Sequence, residues 1–161
     1  MKTLYLVRHA KSSWEFDLDD HMRPLNQRGL EDAAKMGVFI REKISIPQRI
    51  VSSDAVRAKS TAVLYLKELG IPEERLELDP RLYDFTGNQL HTVIKSCDNR
   101  IDRLMIFGHN HALTYWVNQY GNKIIDNVST AAFIAITFDV DDWSAIKKGE
   151  TVLYVKPKQL N

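Results

Sequence analysis

The sequence predicts an α/β protein, a three-layer sandwich with a mostly parallel central sheet and one antiparallel edge strand. Short apolar runs alternate with longer amphipathic segments, a pattern typical of strands that alternate with helices. The last two apolar runs follow each other with no helical segment between them, which favours an antiparallel strand at one edge. Glycine and proline are scattered and mark no linker, so the 161 residues are predicted to form a single domain, 1–161.

The first half of the chain is predicted to supply two strands and two helices. Thr3–Val7 and Arg49–Val51 have the apolar, β-branched character of short buried strands. Asn26 is a predicted N-cap for a helix whose apolar spacing continues to Ile44. A residue of the same capping class, Asp54, precedes a second apolar stripe that should end at a glycine near position 70.

The second half repeats the alternation and then ends in two strands. Apolar spacing and turn residues predict strands at Leu76–Leu78, Leu104–Phe107, Ala132–Phe138 and Thr151–Val155, and helices at Asn88–Ser96 and Ala112–Gln119.

Charge and cysteine content limit the classes of function. The chain has 22 Lys+Arg and 21 Asp+Glu, a net charge of +1, so no nucleic-acid or membrane partner is expected on bulk electrostatics. Cys97 is the only cysteine, which predicts no internal disulfide and no zinc site, and favours a reducing compartment. Arg8 interrupts the first apolar run, and no segment resembles a signal peptide or a membrane span. We therefore expect a cytoplasmic protein with neither metal nor cofactor.

Three of the predicted strands end in residues suited to anion chemistry. The first ends at Arg8-His9, the second at Ser52-Ser53, and the strand at Leu104–Phe107 at Gly108-His109. In parallel sheets ligands bind beyond the carboxyl ends of the strands, so these residues should share one rim. Arg57 falls in the first turn of the helix after the second strand, where free N–H groups favour anions. Two guanidinium groups and two imidazoles around one point suit a phosphoryl group.

The ordered motifs resemble those of the histidine phosphatase superfamily, which has the phosphoglycerate-mutase-like fold. The segments "VRHAKS", "RPLNQRG", "VSSDAVRAKST", "FGHNHAL" and "VSTAAFIAITFD" occur in that family's order along nearly the whole chain. Within the superfamily the chain is most similar to the small SixA-type phosphohistidine phosphatases.

The resemblance implies a role for each of the four residues at the strand ends. His9 would be the nucleophile that accepts the phosphoryl group, and Arg8, Arg57 and His109 would bind the phosphate and stabilise its charge in the transition state. Water would then hydrolyse the phosphohistidine intermediate, and the arginines would supply the positive charge without a metal.

Some features of the site differ from the family pattern or remain open. Ala10 replaces the family's glycine after the histidine. No glutamate matches the family's general acid; Asp84 is one candidate, and Asp17, Asp19 and Asp20 on the loop after the nucleophile are others.

Two further polar residues are candidate phosphate contacts. Ser12 lies on the nucleophile loop, and Asn110 follows His109. The side chain of Asn110 is also of a type that caps helices.

The most specific hypothesis is a signalling phosphatase for phosphohistidine on a protein partner, such as a histidine-phosphotransfer protein. The imidazole of phosphohistidine can carry its own proton near its usual pKa of about 6.5, so it needs no strong acid to leave. Two alternatives remain: a small-molecule phosphomonoester phosphatase, which would need an acid such as Asp84, and a non-catalytic phosphoresidue-binding module.

Overall fold

The computed structural model describes residues 1–160, which fold as a six-stranded sheet with helices on both faces. The strands are β1 (Lys2–Arg8), β2 (Arg49–Ser52), β3 (Leu76–Leu78), β4 (Arg103–Gly108), β5 (Phe133–Phe138) and β6 (Glu150–Val155). The α-helices are α1 (Gln27–Arg41), α2 (Val56–Leu69), α3 (Asn88–Lys95) and α4 (Ala112–Tyr120), and short 3-10 turns connect several of these elements.

The sheet has the order β3-β2-β4-β1-β5-β6. Neighbouring strands from β3 to β1 are parallel, while β5 is antiparallel to both β1 and β6. The predicted fold class is confirmed, with the detail that the reversed strand β5 lies one place in from the edge and β6 covers it.

Alternate residues of the central strands pack against different helix layers. On β1, Leu4 and Leu6 belong to the core cluster formed with α3 and α4, whereas Tyr5 and Val7 belong to the cluster formed with α1 and α2. A strand buried on both faces explains why the first apolar run shows no polar alternation. Burial on both faces leaves the ends of these strands as the places where polar side chains meet solvent.

The first two helices each differ from the prediction at one terminus, whereas α3 and α4 end within one residue of their predicted ends. Helix α1 ends at Arg41, one turn earlier than the apolar spacing to Ile44 predicts, and Ile44 packs at the side of the core. The predicted cap of α2 is also wrong: the N-cap position is Ala55, with no side-chain cap hydrogen bond. Oδ1 of Asp54 instead lies 2.9 Å from Nε2 of His21, so this oxygen contacts a residue distant in sequence and does not cap the helix.

Other predicted signals agree with the structure. Asn26 Oδ1 accepts a hydrogen bond from Gly29 N at 2.8 Å and caps α1 as predicted. Gly70 ends α2 in the left-handed conformation at φ 71°. No helix within residues 1–160 has the length and apolar character needed to cross a membrane.

Candidate active site

The carboxyl ends of β1, β2 and β4 meet at one rim and are joined there by backbone hydrogen bonds. His9 N donates to Gly108 O at 3.1 Å, and Ser53 N donates to Phe107 O at 3.0 Å. A third contact comes from the loop before β5, where Ala131 N donates to the carbonyl oxygens of Arg8 and His9. The predicted meeting of the three strand ends is therefore present, and the backbone of the nucleophile segment is held from both sides.

His9 is buried, and its two ring nitrogens have different partners. Nδ1 lies 2.7 Å from the carbonyl oxygen of Ala10. A carbonyl oxygen can only accept, so Nδ1 carries the proton and Nε2 has the free lone pair. The Nε–H of Arg57 donates to that lone pair at 3.3 Å. His9 is thus in the tautomer that a nucleophilic Nε2 requires.

Burial also keeps His9 neutral. It lowers the pKa of His9 to about 3; the hydrogen bond to Ala10 opposes this shift, and the nearby charges of Arg57 and Arg8 add to it. A neutral imidazole has the lone pair that attack on phosphorus needs. The site therefore offers an uncharged nucleophile at neutral pH.

His109 lies beside His9, with ring centroids 5.2 Å apart. Its Nε2 is 2.8 Å from Ser53 Oγ, and that hydroxyl also accepts from Ala55 N at 3.2 Å. A hydroxyl that already accepts from a backbone N–H is best placed to donate to Nε2, which leaves the proton of His109 on Nδ1. Burial, followed by the electrostatic interactions with His9 and Arg57, lowers the pKa of His109 to about 3.

Two buried side-chain nitrogen atoms have no hydrogen-bond partner within residues 1–160, and both belong to residues beside His9. They are Nδ1 of His109 and Nε of Arg8. Buried donors in native proteins are normally satisfied, so unpaired ones point to where a ligand can bind. The Nη1 of Arg8 is fixed by a bond of 2.8 Å to the Val128 carbonyl.

The site opens into a cavity of about 510 Å³. Its lining contains four basic side chains and one carboxylate, and it consists of Arg8, His9, Lys11, Ser12, Trp14, Asp20, Arg23, Asn26, Arg57, Phe85, Asn110 and Thr130. A surplus of positive charge in a concave site attracts anions. The balance fits a dianionic phosphoryl group.

The two predicted phosphate contacts both line the cavity but are already bonded within the protein. Ser12 Oγ accepts from Arg23, which also donates to the Ser13 carbonyl at 3.1 Å. Asn110 Oδ1 accepts from Thr114 N at 3.1 Å in the first turn of α4, and its amide donates to Asn127 at 2.8 Å. Asn110 therefore has the helix-capping contact that its residue type also suggested.

Asp84, the first candidate for the general acid, has a structural position. Its carboxylate accepts hydrogen bonds from the backbone N–H groups of Thr86, Gly87, Gln89 and Leu90 at 3.0 to 3.1 Å. Burial raises the pKa of Asp84, but the bonds from Leu90, Thr86 and Gly87 outweigh burial and lower it. The carboxylate holds the N-terminus of α3 and is not among the residues that line the cavity.

The carboxylate that does reach the cavity is Asp20, while Asp19 is exposed and outside its lining. Asp20 Oδ2 accepts from Arg57 Nη2 at 2.9 Å and from the Tyr83 hydroxyl at 2.6 Å. Its Oδ1 accepts from Arg23 Nη1 at 3.0 Å, and its carbonyl from Arg57 Nη1 at 2.6 Å. Although partial burial raises the pKa of Asp20, the bonds from Tyr83, Arg57 and Arg23 lower it far more.

The segment Arg23–Gly29 packs against residues 10–13, the loop that follows His9. Asn26 N donates to the Lys11 carbonyl at 3.0 Å. A Cβ at Gly29 would lie 2.1 Å from the same carbonyl oxygen, so only glycine allows α1 to approach this closely. Arg23 lies against the face of Trp14, 3.2 Å from the ring centroid.

Several contacts of the site could not be found from sequence patterns alone. Ser53, Tyr83 and the Ala10 carbonyl act through tertiary contacts, and only the position of Ser53 at a strand end was a signal. Within residues 1–160 no group of three or more His, Cys, Asp or Glu side chains is placed to hold a metal ion.

The α/β fold carries a basic strand-end pocket beside a neutral histidine, a site suited to an anion such as a phosphoryl group. The family model of the histidine phosphatase superfamily (branch 1) matches residues 4–124, and the chain belongs to that family.

Individual proteins with similar sequences were also found. An uncharacterised chloroplastic protein of Arabidopsis thaliana is 35% identical over 118 residues, which are 68% of this chain and 54% of that protein. An uncharacterised protein of Mycobacterium tuberculosis is 29% identical over 103 residues, 64% of this chain and 62% of that protein. The chain thus spans between half and two thirds of the length of these relatives.

Among solved structures, a protein histidine phosphatase, SixA, in complex with tungstate superposes with a TM-score of 0.83. The identity is 18%, and 99% of each chain is covered. At this identity the likeness concerns the fold, and it confirms the predicted SixA-like architecture over the whole chain.

Proposed function

We propose that this protein is a phosphatase that removes the phosphoryl group from phosphohistidine on a protein partner through a phosphohistidine intermediate on His9. The observation that carries the proposal is the state of His9 at the cavity: a neutral ring with its proton on Nδ1 and the lone pair of Nε2 facing Arg57. A pure binding module needs basic side chains but has no use for a nucleophile in this tautomer.

In the first step Nε2 of His9 attacks phosphorus, and the bond from phosphorus to the nitrogen of the substrate breaks. Arg8, Arg57 and Nδ1–H of His109 bind the phosphoryl oxygens, with Arg57 Nε moving from the nucleophile to the transferring group. His9 becomes positively charged as the bond forms, and the Ala10 carbonyl stabilises the proton on Nδ1.

In the second step a water oxygen attacks phosphorus and the bond from phosphorus to Nε2 breaks. The proton of the water leaves with inorganic phosphate or to solvent, and His9 returns to its neutral form. Because the basic side chains supply the positive charge, we propose that both steps proceed without a metal or an organic cofactor.

The carboxylates around the site favour a leaving group that carries its own proton. Asp84 is bonded to α3, and Asp20 is kept ionised by the Tyr83 hydroxyl and two guanidinium groups. An alkoxide leaving group would require a protonated acid, whereas phosphohistidine leaves as neutral imidazole. These contacts support phosphohistidine over an alkyl phosphate ester as the substrate class.

Further support for a protein substrate comes from the SixA-like fold and from the cavity, whose edge is formed by exposed side chains such as Trp14 and Phe85. A cavity with an exposed edge of this kind can admit a side chain of a folded partner. The cysteine content and the charge balance are consistent with action in the cytoplasm as a single domain.

The test follows phosphorus from a histidine-phosphorylated protein labelled with ³²P. The labelled protein is mixed briefly with wild type, with His9→Ala and with the control His111→Gln, and each reaction is quenched in alkali. The control changes an exposed histidine beside the site. We expect transient alkali-stable label on wild type and on the control, none on His9→Ala, and loss of label from the substrate with the first two only.

Parallel assays use phosphoramidate and glycerol phosphate as small substrates. Rapid turnover of glycerol phosphate with no release from the phosphoprotein would instead identify a small-molecule phosphatase. Binding of the phosphoprotein without turnover by wild type would identify a phosphoresidue-binding module.

A further inference from the structure

The loop between Trp14 and Met22 carries large apolar side chains that no core packing explains. Four of them and a nearby phenylalanine are exposed: Trp14 by 80%, Phe16 by 54%, Leu18 by 48%, Met22 by 52% and Phe85 by 45%. Single exposed apolar residues are common, whereas several along one short loop beside a cavity point to an interaction site. We refer to these five residues as the apolar rim.

The position of the rim follows from the residues at the two ends of the loop. Trp14 and Asp20 both line the cavity, and so does Phe85, which is distant from them in the sequence. Residues 15–19 therefore leave and return at the edge of the cavity, and all five are exposed. A macromolecule whose phosphorylated side chain reaches His9 must pass against this loop, whereas a small phosphate compound need not touch it.

The charges of the same loop indicate what kind of surface would fit. Glu15, Asp17 and Asp19 are exposed, and none of them forms an ion pair within the described part of the chain, residues 1–160. The floor of the cavity is basic. The complementary partner therefore has an apolar patch and basic side chains around one phosphorylated residue.

We propose that the apolar rim is the docking surface for the protein substrate, and that it binds an apolar patch flanked by lysine or arginine beside the phosphohistidine of that partner. This inference rests on the proposed function, and it adds the surface by which a protein substrate is distinguished from a small one. The rim affects binding of the partner and leaves the chemistry at His9 unchanged.

The test compares two substrates in the same variants. Phe16→Ser/Leu18→Ser removes two rim side chains that do not line the cavity, so phosphoramidate turnover should stay within twofold of wild type. The KM for a histidine-phosphorylated partner protein should rise about tenfold or more. Ile46→Ser is the matched control, because Ile46 is 42% exposed but precedes β2 and so lies at the other end of the sheet.

A second variant tests the charges. Glu15→Gln/Asp17→Asn should lower kcat/KM for the phosphoprotein and weaken its dependence on salt, because long-range attraction to basic groups is screened by ions. An unchanged KM for the phosphoprotein in both variants, while wild type dephosphorylates it, overturns the docking surface and leaves the proposed function intact. Failure of wild type to act on any phosphoprotein while phosphoramidate is hydrolysed overturns the protein substrate itself.

Discussion

Replacement of Asp20 by asparagine should make the proposed phosphate site bind anions more tightly. In the free protein the carboxylate of Asp20 occupies the Nη2 of Arg57 and the Nη1 of Arg23, at 2.9 and 3.0 Å. A phosphoryl group that uses these guanidinium donors must first displace the carboxylate. Asp20 is therefore an internal competitor of the phosphate, and the Asp20→Asn side chain is a weaker one because it has no charge.

The size of the effect follows from these contacts. Hydrogen bonds to charged groups contribute about 1.5–3 kcal/mol when protected. The side chain of Asp20 is 45% exposed, so solvent screening reduces its two ion pairs well below the sum of protected bonds. The bond from the Asp20 carbonyl to Arg57 remains in the variant. A net gain of roughly 1.4 kcal/mol, or about tenfold in Kd, is expected for inorganic phosphate or tungstate.

Isothermal titration calorimetry with tungstate and with inorganic phosphate measures this directly. Asp19→Asn is the control, since it removes the same charge from the neighbouring position, which does not line the cavity. The pKa of Asp20 is lowered by Tyr83, Arg57 and Arg23 against the effect of burial, so the tenfold ratio should persist from pH 5 to pH 8. Weaker binding by Asp20→Asn would refute the reasoning and show that the carboxylate mainly orients Arg57.

Three further changes have defined outcomes. Ser53→Ala removes the bond at 2.8 Å that fixes the tautomer of His109, so tungstate affinity should fall about tenfold, and unchanged affinity would contradict that tautomer. Gly29→Ala places a Cβ against the Lys11 carbonyl and should lower the free energy of unfolding in urea by about 1–3 kcal/mol. Helix propensity alone predicts a higher free energy of unfolding, and that result would argue against the close approach. The folded pKa values of His9 and His109 are about 3, below the unfolded value of about 6.5, so the unfolded state binds more protons and stability should fall as pH drops from 6.5 towards 3. Denaturation at pH 7 and pH 5 should show a smaller loss for His109→Gln than for wild type, and equal losses would be inconsistent with a buried neutral His109.

The residues at the ends of the parallel strands were the most predictable part of the site. A buried strand has little freedom in where it ends, and the carboxyl ends of parallel neighbours meet at one rim. Arg8 of β1 pairs with Gly108 of β4 in the sheet. His9 and His109 each follow these partners by one residue, so the strand pairing places the two histidines side by side. The place of Arg57 in the first turn of α2 followed from the helix start.

The aspartates were not predictable in the same way, because a carboxylate bonds to whichever donors the tertiary fold brings near. Asp54 has the sequence position of a cap but contacts His21, and Asp84 provides a cap that the helix pattern alone did not reveal. In retrospect the Thr-Gly pair at 86–87 that follows Asp84 was a turn signal of the kind that places an aspartate at a helix start. Asp20 lies on a loop without periodic spacing, so nothing in the pattern distinguished it from Asp17 or Asp19.

The same placement of carboxylates limits which reactions fit the proposed mechanism. Proton donation to a leaving oxygen needs a carboxyl group that is both near the phosphoryl group and protonated at neutral pH. The Asp84 carboxylate is bonded to backbone N–H groups at the start of α3, and the pKa of Asp20 is lowered by the Tyr83 hydroxyl together with Arg57 and Arg23. A phosphate dianion that binds Arg57 and Arg23 displaces the Asp20 carboxylate from them and places a second negative charge beside it. Both changes raise the pKa of Asp20. Asp20 could therefore gain a proton only after the substrate has bound, so hydrolysis of alkyl esters should depend on Asp20 and on low pH, whereas hydrolysis of phosphohistidine should depend on neither.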